Sequence, residues 1–452
     1  MEVKLEKIHT ELDPFDTYTL FKDKKNTVLL DSGRDHTNLG RYSFIGINPF
    51  LKITDKNGQV VVNDEPVKND IFTELTKILK EYKITNSTEL PFISGGIGYF
   101  SYDLSREIEL LPASAKNDLH LPTVYFNLYD NLIIFDNLKK ETFISALGIL
   151  KPHNESISLI KRIINSGNRI VYSDCNKNIA KDIFESNFTK EEYLKAVNRV
   201  RAYIESGDTY ILNLTQRFKC DCNHSPYDIY KNLRHINPAP FGAIMNFENF
   251  SFLSSSPERF LKIVNNKIET RPIKGTRPRG NNKEEDKLQI EELLNSEKDK
   301  SELLMVIDLE RNDLSKVCKP YSVKVPELFK LETYATVHHL VSTVIGELKE
   351  NCNSIDCIKA CFPGGSITGT PKIRSMEIIE ELEGLRRNIY TGSIGYIGFD
   401  GNVDLNIVIR TIVIQNNTAY FGVGGGITWE SDPEFEYEET LHKAAALMRV
   451  LS

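Results

Sequence analysis

What most limits the fold of this chain is the order of its short apolar runs. Strand-like and helix-like segments follow one another without the regular strand–helix alternation that builds a parallel sheet. Val28-Leu29-Leu30, Tyr42 to Ile47, Gln59 to Val62, Ile93 to Phe100 and Val124 to Phe135 read as strands joined by polar turns, with helical patterns at about 70–82 and 155–165. A polar, weakly patterned stretch at 174–187 places a boundary there. Thr189-Lys190-Glu191-Glu192 is a capping box that opens a helix running through Ile204. Tyr210 to Phe218 reads as a strand, with further strands up to about 270. Then come a charged helical stretch at 283–315, a Gly/Pro loop at 363–371, strands at 391–424 and a final helix from about 433. The class is α+β, with regions 1–175 and 188–450 intertwined into one compact unit.

With 452 residues, 40% hydrophobic and 26% charged, the chain has ample material for a core. A net charge of -7 argues against nucleic acid as the main partner, because phosphate binding needs a basic face. The start Met1-Glu2-Val3-Lys4 lacks the apolar core of a signal peptide, and no apolar run is long enough to span a bilayer. Seven scattered cysteines (Cys175, Cys220, Cys222, Cys318, Cys352, Cys357 and Cys361) show no zinc spacing and read as reduced, mostly buried thiols of a cytoplasmic protein.

Several residues could carry chemistry. Lys274 lies in Thr270-Arg271-Pro272-Ile273-Lys274-Gly275-Thr276-Arg277-Pro278-Arg279-Gly280, whose prolines and glycines exclude a regular helix or a central strand. A lysine held on such a turn can be a nucleophile when uncharged, although the segment alone is better read as a solvated basic loop. In the last helix Glu436, Glu439 and Lys443 share a face, and Asp299 and Glu302 repeat the i, i+3 spacing. Facing each other, the two acidic pairs would make an oxygen-rich site suited to Mg2+; each alone equally fits a solvated helix start. Gly364-Gly365 to Gly369 and Gly422 to Gly426 are glycine loops that fail the Walker and dinucleotide spacings, yet expose backbone N–H groups able to hold a carboxylate. Glu258 stands at a strand mouth, as a solvated end residue or a general acid. His339 lies in an apolar helix pattern, where a core role is the simpler one. Arg410 is odd in so apolar a strand and needs an anionic partner.

Together these segments resemble the chorismate-utilising enzymes, a family that includes anthranilate synthase component I, aminodeoxychorismate synthase component I, isochorismate synthase and salicylate synthase. The resemblance is carried by Ser255-Ser256-Pro257-Glu258-Arg259-Phe260, Pro272 to Thr276, Ile307-Asp308-Leu309-Glu310-Arg311-Asn312-Asp313, Val325-Pro326-Glu327, His338 to Ser342, Pro363 to Pro371, Gly392 to Tyr396 and Gly424 to Ile427. It covers nearly all of residues 190–450, and Leu29 to Ser32 with Gly40 to Gly46 extend it into the N-terminal region.

The resemblance implies antiparallel sheets packed as a β-sandwich with helices outside, and roles at matching positions. Asp299, Glu302, Glu436 and Glu439 match a Mg2+ shell, with Glu302 and Glu439 the direct ligands. Thr276, Tyr390, Arg410, Lys443 and the backbone of Gly424, Gly425 and Gly426 match substrate-holding groups, Glu258 the acid/base, and His339 the histidine near the ring. Asp31, Ser32, Arg41, Tyr42 and Ser43 match a tryptophan pocket. Lys274 matches the lysine of the members that form 4-amino-4-deoxychorismate for folate synthesis, where anthranilate synthases carry a small residue; anthranilate formation is the alternative. Ammonia would come from a separate glutamine amidotransferase. One departure is Ile211, where the amine-forming members carry Gln and the water-using ones Lys; isoleucine cannot deprotonate water.

Overall fold

The computed structural model describes residues 1–33, 36, 39–172, 179–334 and 337–452. Among these, the named strands pair only antiparallel and join into one hydrogen-bonded network, as the missing strand–helix alternation predicts. The network interleaves the two ends of the chain. Val28–Asp31 pairs with Phe241–Asn246, and Gly95–Phe100 pairs with Ser393–Gly398.

The cores are interleaved in the same way. The largest mixes Phe44, Phe92 and Tyr99 with Phe252, Tyr396 and Val403, and Phe92 stacks on Tyr396 with ring centroids 4.3 Å apart. A second combines Phe15, Ile45 and Ile133 with Phe421 and Leu447. A third clamps two helices, Lys190–Glu205 and Lys372–Glu383, onto the strand Ile211–Asp221 through Tyr193, Val197, Leu212, Leu214 and Ile378. Thr189 caps the first of these helices in the predicted box with Glu192. Phe100 and Phe126, by contrast, lie in the first core far from this clamp.

Three local expectations need correction. The apolar run around His339 is a strand, Val337–Glu347, not a helix. It pairs with Lys267–Thr270, Ile273–Pro278 and Lys324–Thr333, and Leu340 to Val344 are buried without a break, so both faces are covered and the period-two signal is lost. Gly422 to Gly426 is no loop but part of the strand Thr418–Ile427, paired with Ile211–Asp221 from Leu212↔Ile427 to Asp221↔Thr418. Lys274 sits on a strand rather than a turn. Ile273–Pro278 pairs with one named strand only, an edge position at which its terminal Pro278 is tolerated, and Gly275, at φ 77°, is extruded as a bulge between Lys274 and Thr276. The boundary at 174–187 falls partly on residues outside those described; from 179 on it holds the short turn Lys181–Ile183 and the strand Glu185–Ser186.

No helix among the described residues is long and apolar enough to cross a membrane. The six described cysteines are free and five are buried; Cys175 lies outside the described residues.

Candidate active site

The glycine strand is the floor of the site. Because Gly425 and Gly426 lack side chains, groups from four other elements approach the backbone. A Cβ on Gly425 would lie 3.3 Å from both Glu436 Oε2 and Glu439 Oε2 and 3.5 Å from Lys443 Nζ. All three come from the helix Pro433–Leu451, at the shared-face spacing expected. A Cβ on Gly426 would lie 3.1 Å from Ile211 Cδ1, 3.3 Å from Lys274 Nζ and 3.4 Å from Glu302 Oε2. Glu302 belongs to the helix Glu297–Val317, whose start also carries Asp299. Glu302 and the pair Glu436 and Glu439 thus come to neighbouring residues of the same strand.

The carboxylates are interleaved with ammonium groups. Lys298 stands 3.4 Å from Glu436 and 4.0 Å from Glu302. Lys443 stands 3.0 Å from Glu439 and donates to Gly424 O at 2.9 Å. Burial pushes Glu302 and Glu436 above the usual carboxylate range, against the pull of the nearby lysines. Burial also acts on Glu439, but Lys443, Lys274 and Lys298 outweigh it and hold that carboxyl low. Asp299 is engaged elsewhere, accepting from Arg277 Nη2 at 3.2 Å. The oxygen-only donors Glu302, Glu436 and Glu439 have the chemistry of a hard divalent cation. As placed, no three acidic, histidine or cysteine side chains among the described residues stand close enough to hold a metal, so binding an ion requires these carboxylates to turn toward each other.

Glu258 is buried where the chain passes from Phe250–Ser256 to Arg259–Val264. Burial lifts its carboxyl above the usual range, opposed by a hydrogen bond to Ser366 and by the charge of Lys274. Ser366 serves both groups, because its carbonyl accepts from Lys274 Nζ at 3.3 Å. Arg410 adopts φ 53°, a region few non-glycine residues enter. Its guanidinium donates to the Lys443 carbonyl and has no carboxylate within ion-pair distance among the described residues; burial lowers its pKa. Tyr390 lies flat against Gly422, 2.4 Å from where a Cβ would stand. His339 and Thr276 meet across the bulge, Nδ1 to Oγ1 at 2.9 Å, and burial drops the imidazole to about 4, leaving it neutral.

The N-terminal candidates form a separate place. Asp31, Ser32, Arg41 and Tyr42 line a cavity of about 280 Å3 closed by Phe241 and Tyr396. Ser43 is fully buried and accepts from Ser32 N at 3.0 Å instead of facing the cavity as a free group. Asp31 is bound by Arg234 Nε at 2.5 Å, and Arg41 by Asp136 at 2.7 Å.

Sequence reasoning missed Ser366, Lys298 and Arg387. Lys298 had a signal, one helical turn before Glu302. Arg387 had one too, four residues after Glu383, whereas Ser366 had none, since Glu258 and Lys274 lie far away in the sequence.

Three consecutive glycines on one strand, acidic and basic side chains over two of them, and Arg410 with no carboxylate at ion-pair distance among the described residues make up this polar site. Comparison with known proteins gives the family: residues 25–449 match the chorismate binding enzymes, and the chain belongs to that family. It is 38% identical over 430 residues to aminodeoxychorismate synthase component 1 of Escherichia coli, covering 94% of this chain and 93% of that one. It is 37% identical over 466 residues to anthranilate synthase component 1 of Aquifex aeolicus, covering 98% and 94%. Among solved structures, anthranilate synthase component I from Streptococcus pneumoniae superposes with a TM-score of 0.80 at 30% identity, covering 90% of this chain and 92% of that one.

Proposed function

We propose that this enzyme converts chorismate and ammonia into 4-amino-4-deoxychorismate, on the route to para-aminobenzoate and folate. The observation that supports this best is the Lys274 amine, poised over Gly426 beside Glu302 and sharing Ser366 with the buried Glu258. In this scheme the uncharged amine bonds to C2 of chorismate while the C4–oxygen bond breaks and the ring double bonds shift. Glu258 gives its proton to the departing hydroxyl, which leaves as water. Ammonia then bonds to C4, the double bonds shift back, and the C2–nitrogen bond breaks. Lys274 leaves as the uncharged amine that began the cycle, and the proton shed by the new amine returns to Glu258. Arg410, Lys443 and the N–H groups of the glycine strand hold the substrate carboxylates, with Tyr390, Thr276 and His339 beside the ring.

Mg2+ would be held by Glu302 and Glu439, with Glu436 beside them, and would relieve charge on the departing oxygen. Asp299, tied to Arg277, would act by charge alone. Ile211 adds an apolar wall next to Lys274, where a base would otherwise activate water. A separate glutamine amidotransferase supplies the ammonia, and the protein works in the cytoplasm. The cavity at Asp31 would take tryptophan, whose ammonium group would share Asp31 with Arg234; a raised melting temperature with L-tryptophan checks this, and none would count against it.

Incubation with chorismate, Mg2+ and ammonium tests the reaction. The expected product is non-fluorescent and releases pyruvate only when a lyase is added. Fluorescent anthranilate with immediate pyruvate release would overturn the proposal in favour of the anthranilate reaction.

A further inference from the structure

Arg387 lies outside the substrate and metal groups, yet it touches three of the segments that carry them. Its side chain is 2% exposed, and all five of its N–H donors are engaged. Nε and Nη2 grip the Glu383 carboxylate at 2.9 and 2.7 Å. Nη2 also donates to Asn213 O at 2.6 Å, and Nη1 to Ile367 O at 2.8 Å and Thr391 Oγ1 at 3.3 Å. The guanidinium plane lies 4.8 Å from the centre of the Tyr102 ring. Glu383 in turn accepts from Thr215 N and Thr215 Oγ1, both at 2.9 Å.

The three segments matter more than the number of bonds. Asn213 and Thr215 belong to the strand that aligns the glycine floor, Asn213 opposite Gly426 and Thr215 opposite Gly424. Ile367 follows Ser366, whose carbonyl holds Lys274 and whose side chain bonds Glu258. Thr391 follows Tyr390. A fully used, planar fork fixes all three relative to each other in a way no point charge can.

We propose that Arg387 is a positioning residue for chemistry. Through Ile367 it sets where the Ser366 carbonyl stands, and so where the Lys274 amine and the Glu258 carboxyl meet the substrate. This rests on the aminodeoxychorismate reading, in which those two groups react.

The test uses the full-length protein with two variants. Arg387→Lys keeps a cation against Glu383 but cannot span Ile367, Asn213 and Thr391 together. The double variant Arg387→Met/Glu383→Gln leaves no lone buried charge, so it folds where the single methionine variant does not. Circular dichroism and thermal melting establish folding, and chorismate consumption with Mg2+ and ammonium gives kcat and KM. In the folded variants kcat falls about 100-fold, the scale of a small misplacement of reacting groups, while KM changes less than about fivefold. Folded variants with wild-type kcat overturn the inference, as does a loss confined to KM. Wild-type protein that consumes no chorismate overturns the underlying reading and this inference with it.

Discussion

At the scale of single residues, the site depends on charges that the surroundings hold in place. Lys274 is the residue on which the proposed product turns. Lys274→Ala is expected to lower aminodeoxychorismate formation at least about 100-fold while chorismate still binds, as isothermal titration would show; unchanged turnover would remove the lysine from the mechanism. Glu439 sits between Lys443 and the glycine floor. Glu439→Gln should raise the Mg2+ concentration for half-maximal rate about tenfold or more, and a wild-type titration curve would argue against its role as a ligand. His339 is a stability sensor as well. Its imidazole titrates at about 4 in the fold, against about 6.5 when free. The unfolded chain therefore binds the proton first, and stability present above pH 6.5 drains away as pH falls toward 4. Melting curves should show the wild type losing more between pH 7 and 4.5 than His339→Gln; parallel losses would refute a neutral buried imidazole.

At the scale of elements, the glycine strand separates structure from function by position. A Cβ on Gly424 would stand 2.4 Å from Leu214 O, a backbone atom of the paired strand, whereas one on Gly426 would press only on the tips of Ile211, Lys274 and Glu302. Gly424→Ala should thus lower the melting temperature by several degrees, about 1–3 kcal/mol of overpacking. Gly426→Ala should melt near wild type yet lose about tenfold or more in rate. Equal melting for the two would show that the strands part freely here. Elements of this kind were only partly legible in the sequence. The helices bearing Glu302 and Glu439 announce themselves by i, i+3 acids, which are local, although the stretch read as one helix at 283–315 is two, Lys283–Asn295 and Glu297–Val317, divided at the cap Ser296. The glycine run was misplaced as a loop because strand pairing supplies what glycine propensity withholds. His339 was misplaced on a helix because a strand buried on both faces shows no alternation. Arg387 showed only its local ion pair with Glu383; its wider meaning lies in Ile367 and Asn213, which only the tertiary fold brings to it.

For the whole molecule, the interleaved sheet forbids modular behaviour. Val28–Asp31 and Gly95–Phe100 supply hydrogen bonds to strands more than 200 residues away, and Phe44 and Phe92 fill the core beside Tyr396. A fragment of residues 188–452 would expose both the unpaired strand edges and that aromatic face. It is expected to aggregate or to show far-ultraviolet signal without a cooperative melt, and a sharp thermal transition would contradict this. The candidate site is built from the second half of the chain, and the first half supports it from a distance: Val28–Asp31 pairs with Phe241–Asn246, the neighbour of the strand Phe250–Ser256 that leads to Glu258.

The bulge at Gly275 makes register itself a chemical variable. With it, Thr276 pairs with His339 and Arg277 with His338; were Gly275 taken into the ladder instead of extruded, each would slide to the next partner. Since neighbouring strand positions point to opposite sides, such a slip would turn Thr276 from one surface of the sheet to the other without altering any residue. Two proteins with the same Lys274 neighbourhood could therefore present different walls to the same substrate, differing in parity rather than in composition.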